Sequence, residues 1–226
     1  MNLLIVNNSY SPCNYSELQY YGTIQYINST DLSQVDLNEL LHNKTAVLLT
    51  GGPQHIPYIE EYPELAYELQ LIDIIVKRNI KLIGICLGFQ LINYYFGNTI
   101  VKLKSPCIGY NFLDPTTFTT HGDSRLDAID VALFANSLSF HYDGVMVNKN
   151  PDIQVVAQSI PIGESEGMVY AIKHAKYPIY AVQSHPDANV ARVMRCMKRF
   201  IVEDIVLREE DYYTKIFHNF FSPLLL

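Results

Sequence analysis

Apolar positions along this chain gather into short unbroken runs, separated by stretches in which they recur at helical spacing. Runs over 3–6 (Leu3, Leu4, Ile5, Val6), 23–27, 46–49 and 81–85 predict strands. Between the last two, Ile59, Tyr62, Leu65, Leu69, Ile72 and Val76 predict an amphipathic helix over about 58–78, and 87–96 predicts a second one. Strands apolar on both faces, alternating with helices, imply a mostly parallel twisted sheet with helices on both faces. After Gly97 the rhythm changes. Runs over 100–103, 153–158, 168–172 and 179–183 predict strands joined by turns, with little helix until 190–208. These strands are expected as a small antiparallel sheet added to the same α/β unit. No composition shift marks a boundary, so a single domain over 1–226 is expected.

Composition narrows the function classes. Hydrophobic residues make up 49% of 226, which supports a sizeable core. The formal net charge of −7, with no run of Lys or Arg, argues against a nucleic-acid partner. The start, MNLLIVNNSY, lacks a basic segment before its four apolar residues, and the apolar FFSPLLL near the other end is too short to cross a bilayer. No membrane association is expected; FFSPLLL is expected to pack on the domain or on a partner. Four scattered cysteines (Cys13, Cys86, Cys107, Cys196) without a C-x-x-C pair predict a reduced, cytoplasmic setting. His42, His55, His121, His174 and His218 lack metal-ligand spacing, and no phosphate-binding G-x-x-x-x-G-K-[ST] occurs, so neither metal nor cofactor is expected.

One cysteine stands apart. Gly84-Ile85-Cys86-Leu87-Gly88 lies where a predicted strand hands over to a predicted helix. Such a Gly-x-Cys-x-Gly turn has the form of a nucleophile elbow, with glycines where strand and helix backbones close on each other. A thiol there meets a helix N-terminus, which favours thiolate, and the N–H of Leu87 can donate into an oxyanion hole. The alternative is a helix-start turn with an incidental cysteine. A base is available in Gln183-Ser184-His185-Pro186-Asp187, just past an apolar run, where Asp187 could orient the imidazole; an exposed loop histidine beside a turn is the other reading. Thr50-Gly51-Gly52-Pro53 can aim N–H groups at an oxyanion or be an ordinary turn. His141-Tyr142-Asp143-Gly144 is a further polar cluster.

In this order, Leu49-Thr50-Gly51-Gly52-Pro53, Gly84-Ile85-Cys86-Leu87-Gly88-Phe89-Gln90 and Val182-Gln183-Ser184-His185-Pro186-Asp187 resemble the class I (triad-type) glutamine amidotransferase family. The resemblance spans about 1–202 and implies a flavodoxin-like sheet. It further implies that Cys86 attacks the side-chain amide of L-glutamine, forming a γ-glutamyl thioester and releasing ammonia. His185 would be the acid/base and Asp187 its orienting carboxylate. Gly52 and Leu87 would form the oxyanion hole. Gly51, Gln90, His141 and Tyr142 would surround the substrate. Ammonia would pass to a separate ATP-using synthetase chain.

The start Leu4-Ile5-Val6-Asn7-Asn8, the segment Phe140-His141-Tyr142-Asp143-Gly144-Val145 and the segment from Glu166 to His174 look most like the GMP synthase branch; anthranilate and aminodeoxychorismate synthase subunits share much of this. A stand-alone γ-glutamyl hydrolase and a non-catalytic regulatory module are the other readings. Three positions depart from the family pattern: Phe89 stands in place of His, Ser184 in place of an aromatic, and Asp187 in place of Glu. The shorter Asp187 predicts a working but slow site, because an angstrom of misplacement costs about a hundredfold.

Overall fold

The computed structural model describes residues 1–9, 15–110, 138–147, 150–159, 167–200 and 209–225. Cys13, His121, Glu166 and the 201–208 end of the predicted last helix lie outside the described residues.

The strands are β1 (Asn2–Asn7), β2 (Thr23–Asn28), β3 (Ala46–Leu49), β4 (Lys81–Ile85), β5 (Thr99–Tyr110), β6 (Leu138–Val147), β7 (Ile153–Gln158), β8 (Val169–His174) and β9 (Ile179–Val182). The helices are α1 (Leu37–Leu40), α2 (Pro63–Lys77), α3 (Leu87–Tyr95), α4 (Val190–Phe200) and α5 (Glu210–Leu225). The strand order is β2-β1-β3-β4-β9-β8-β6-β5, with β7 paired to β8 off this path. The first five strands in that order run parallel, and β8, β7, β6 and β5 extend them antiparallel. The antiparallel strands are therefore part of the same sheet rather than a second one. A sheet that reverses strand order between β1 and β3 opens a crevice at the carboxyl ends of the neighbouring strands. The chain leaves β1, β3, β4 and β9 on that side.

Local chemistry explains the boundaries. The Asp36 carboxylate caps α1 by accepting from the N–H groups of Asn38 and Glu39. Pro63 opens α2, where a missing N–H costs nothing, and Asn79 with φ 53° ends its last turn. The 58–78 helix predicted from periodicity is shorter at its start. Residues Ile56–Glu61 form a 3-10 turn, and the chain kinks at Tyr58 before Pro63 restarts it.

Alternation along the strands sorts the core into two layers. Leu3, Ile5, Leu48, Ile83, Ile85 and Val182 face one layer, which Tyr15, Leu18, Phe217, Phe220, Phe221 and Leu224 cover. Leu4, Val6, Val47, Leu49 and Leu82 face the other, which Leu65, Leu71, Ile72, Ile75, Phe89 and Ile92 cover. Residues 220–225 of the apolar FFSPLLL thus pack on the domain, as the last turns of α5. That helix is absent from the predicted elements, although Tyr213, Ile216, Phe217, Phe220, Phe221 and Leu224 recur at helical spacing along it. No described helix is long and apolar enough to cross a membrane.

Candidate active site

Cys86 caps α3 with φ 54° and ψ −102°, in the left-handed region that a β-carbon disfavours. Its N–H donates to Val182 O at 2.8 Å, and its carbonyl accepts from Gln90 N at 3.0 Å. The residue is therefore fixed between sheet and helix. The two glycines that bracket it are sterically required. A Cβ on Gly84 would lie 2.6 Å from Ile92 Cδ1 and 2.8 Å from the Gly88 carbonyl. One on Gly88 would strike the Leu49 carbonyl and lie 2.7 Å from Leu49 Cβ.

The loop after β3 brings the next pieces together. A Cβ on Gly51 would lie 2.7 Å from His185 Cε1, 3.5 Å from His185 Nε2 and 3.2 Å from Cys86 Cβ. Gly51 thus lies against both side chains. Gly52 stands one step away, wedged against Asn8, whose carbonyl a Cβ would approach to 2.6 Å. The Leu87 backbone N–H acts on the Cys86 sulfur in the sense that favours thiolate.

His185 is held by its own backbone, with its N–H donating to Leu138 O at 2.7 Å. Nδ1 donates to Asp187 Oδ1 at 3.1 Å. That tautomer leaves the lone pair of Nε2 free on the Gly51 side. The Asp187 side chain is inaccessible to solvent. Its other oxygen, Oδ2, accepts from Tyr15 Oη at 2.5 Å and from an Arg192 guanidinium nitrogen. Burial disfavours charge on Asp187, but Arg192, His185 and Tyr15 outweigh it and hold the carboxyl well below the usual carboxylate range. Neither partner was foreseen. Tyr15 lies 172 residues away along the chain, with no local signal, whereas Arg192 sits in the first turn of the helix that follows Asp187.

Electrostatics overturn one expectation. Burial pushes the Cys86 thiol up to about 12; Asp187 and Asp143 add to the rise, while Arg192 and the Leu87 N–H offset only part of it. A helix N-terminus favours thiolate, but it acts here on a sulfur almost sealed from water. Burial and then Arg192 depress His185, against the opposing pull of Asp187. Thiol and imidazole are therefore both neutral at rest. Sγ donates to Phe140 O at 3.5 Å, and among the described residues no hydrogen bond joins it to His185.

The remaining candidates brace β6. Gln90 Nε2 donates to Asp143 O at 3.0 Å and to Gln183 Oε1 at 3.1 Å. His141 Nδ1 donates to Asp143 O at 2.8 Å, and its Nε2 accepts from Tyr170 Oη at 3.0 Å. Burial depresses that imidazole to about 4, so it is neutral. Tyr142 is 38% exposed, edge-on to His55 at 5.8 Å. His55 Nδ1 in turn lies 3.2 Å from both carboxylate oxygens of Asp143, which ties the glycine loop to β6. Among the described residues no cluster of three or more His, Cys, Asp or Glu could hold a metal.

The arrangement can deliver a sulfur nucleophile at a strained turn, a buried base oriented by a carboxylate, and a glycine loop packed against both. Comparison with known proteins agrees with that chemistry. The family model described as glutamine amidotransferase class-I matches residues 8–203. A putative anthranilate synthase component II of Haemophilus influenzae is 29% identical over 195 residues, covering 84% of this chain and 90% of that protein. A GMP synthase [glutamine-hydrolyzing] of Ehrlichia canis is 26% identical over 152 residues, covering 66% of this chain and only 26% of that protein. The crystal structure of a glutamine amidotransferase from Thermotoga maritima superposes with a TM-score of 0.74 at 19% identity, covering 99% of this chain and 97% of that one.

Proposed function

This chain belongs to the class I glutamine amidotransferase family, and from that premise we propose that residues 1–226 form one glutamine-hydrolysing domain with Cys86, His185 and Asp187 as its triad. The single observation that carries the reading is that Cys86 and His185 both lie against Gly51, with Asp187 on the Nδ1 side of the imidazole.

The neutral resting pair implies general-base activation rather than a standing ion pair. His185 Nε2 takes the Cys86 proton as sulfur attacks the side-chain amide carbon of L-glutamine. Asp187 stabilises the imidazolium that forms. The N–H groups of Leu87 and Gly52 receive the oxyanion. His185 returns the proton to the departing nitrogen, ammonia leaves, and a γ-glutamyl thioester remains. Water, deprotonated by neutral His185, attacks the thioester and releases glutamate and the thiol. The β6 backbone at 140–144 would hold the α-amino and carboxylate end. Gln90 and His141 keep that strand in place, and Tyr142 lies at the mouth.

Ammonia would be consumed by a separate ATP-using synthetase chain in the cytoplasm. The motif pattern favours a GMP-synthase-like acceptor. The length match to the anthranilate synthase component favours the second reading, because that relative is spanned almost end to end. Pairing with each type of synthetase chain and assaying ammonia incorporation separates the two.

The primary test is intact-mass analysis after incubation with an electrophilic glutamine analogue. One adduct, absent from Cys86→Ala and blocked by excess glutamine, is the expected result. No adduct, alone or with either synthetase added, overturns the reading.

A further inference from the structure

The apolar stripe of α2 contains one carboxyl. Glu68 is buried beside Leu65, Leu71, Ile72 and Ile75, and among the described residues it forms no ion pair with a cation. Asn8, just past β1, donates from Nδ2 to Glu68 Oε2 at 3.2 Å. The same nitrogen donates to Thr50 O at 3.2 Å, and the Asn8 N–H donates to Thr50 Oγ1 at 3.0 Å. Asn8 therefore fixes the peptide that leads into Gly51. The remaining oxygens of the pair, Glu68 Oε1 and Asn8 Oδ1, are both buried without a partner. Gln54 Oε1, at the same loop, is a third buried acceptor without a partner, and such bare oxygens are costly unless one of the groups carries a proton.

We propose that Glu68 is a positioning residue held as the neutral acid: its Oε1–H donates to Asn8 Oδ1 while Asn8 Nδ2 donates to Oε2, and this two-point pair keeps the Thr50–Gly51 peptide placed against Cys86 and His185. One proton satisfies both unpartnered atoms. If it is lost, two bare oxygens confront each other in an apolar layer, and the carboxamide that anchors the loop must turn away. The effect on rate rests on the glutamine-hydrolase reading; the protonation does not.

The surroundings agree. Burial pushes Glu68 up to about 8; the Asn8 hydrogen bond opposes this, and Glu64, one turn earlier on α2, adds to it. Of the elements packed on α2, the Ser29–Gln34 turn carries Asp31, the Ile56–Glu61 turn carries Tyr58, Glu60 and Glu61, and α3 carries Tyr94 and Tyr95. None of these bonds to Glu68, and none is cationic. Glu64 itself accepts from Gln54 Nε2 at 3.2 Å, beside the same loop.

Glu68→Gln is the decisive variant, because its amide reproduces the pattern with no proton to lose. The rate of labelling by the electrophilic glutamine analogue should fall about tenfold in the wild-type chain from about pH 7 to about pH 9, and stay level or rise in Glu68→Gln. Urea unfolding gives a readout free of catalysis. A carboxyl whose folded-state pKa is raised contributes stability that is full below its unfolded pKa and is lost as pH rises through the folded one. Wild type should therefore lose stability from about 4.5 to about 8, and Glu68→Gln should lack that slope. Identical pH slopes in the two chains overturn the proposal, whether or not labelling occurs. If Glu68→Gln does not fold, the infrared band of a protonated carboxyl in the wild-type chain decides: loss of a band near pH 8 upholds the proposal, and the absence of any such band overturns it.

Discussion

Asp187 Oδ1 lies 3.1 Å from His185 Nδ1, although an aspartate is one methylene shorter than a glutamate. The Pro186 turn places the two residues close enough for the shorter side chain to reach. Tyr15 and Arg192 hold the second carboxylate oxygen, so the group cannot rotate away. The expected distance penalty is thus absent from the geometry. Arg192 instead lowers the basicity of His185.

Asp187→Asn removes the acceptor that fixes the tautomer. Glutamine turnover should drop by about four orders of magnitude. A loss of less than about tenfold would show that His185 is oriented by its backbone contacts instead.

Arg192→Ala should move the acid limb of the pH–rate profile upward. Arg192 depresses His185, so its removal raises the imidazole pKa, and a higher pH is needed to keep the base neutral. An unchanged limb would mean that solvent screens the guanidinium, whose side chain is 29% exposed.

Tyr15→Phe leaves Asp187 with fewer donors. The Asp187 carboxyl titrates below its ordinary value, so its stabilisation is present above about pH 4 and fades as pH falls. The variant should lose about 1.5–3 kcal/mol at neutral pH, the worth of a hydrogen bond to a charged group. Its acid-unfolding midpoint should rise, as followed by circular dichroism.

Iodoacetamide should modify Cys86 far more slowly than Cys107. With the Cys86 thiol pushed up to about 12, its thiolate is about one part in ten thousand at pH 8, and the residue is buried while Cys107 is half-buried. Peptide mapping over a time course reads the ratio. Faster reaction at Cys86 would mean that the thiolate is already formed at rest.

Gly88→Ala forces a methyl into the Leu49 backbone. A loss of about 1–3 kcal/mol in urea unfolding is expected, together with loss of glutamine-analogue labelling. Phe220→Ala, by contrast, opens the layer beneath α5 without touching the Gly84–Gly88 turn and should cost about 3–5 kcal/mol with labelling at moderate temperature retained.

The alternation of the strands, the βαβ order and the Gly-x-Cys-x-Gly elbow were all legible in the sequence. They are set by neighbouring residues: period-two burial, a helix start, and glycines where two backbones touch. The same holds for His185-Pro186-Asp187, whose parts lie two residues apart. The strand β6 was not among the predicted runs, because its polar members His141 and Asp143 break the apolar pattern and are buried through partners on β8 and the glycine loop. The α5 helix carries its signal in Tyr213, Ile216, Phe217, Phe220, Phe221 and Leu224, which a reading of the apolar FFSPLLL as a short tail leaves out. Tertiary structure decided the rest. Tyr15 reaches Asp187 across 172 positions. Glu68 meets Asn8 across 60. The Cys86 thiol is raised because the whole fold seals it from water. Sequence fixes what local backbone and periodicity dictate; charge states depend on burial and on partners that only the closed fold brings together.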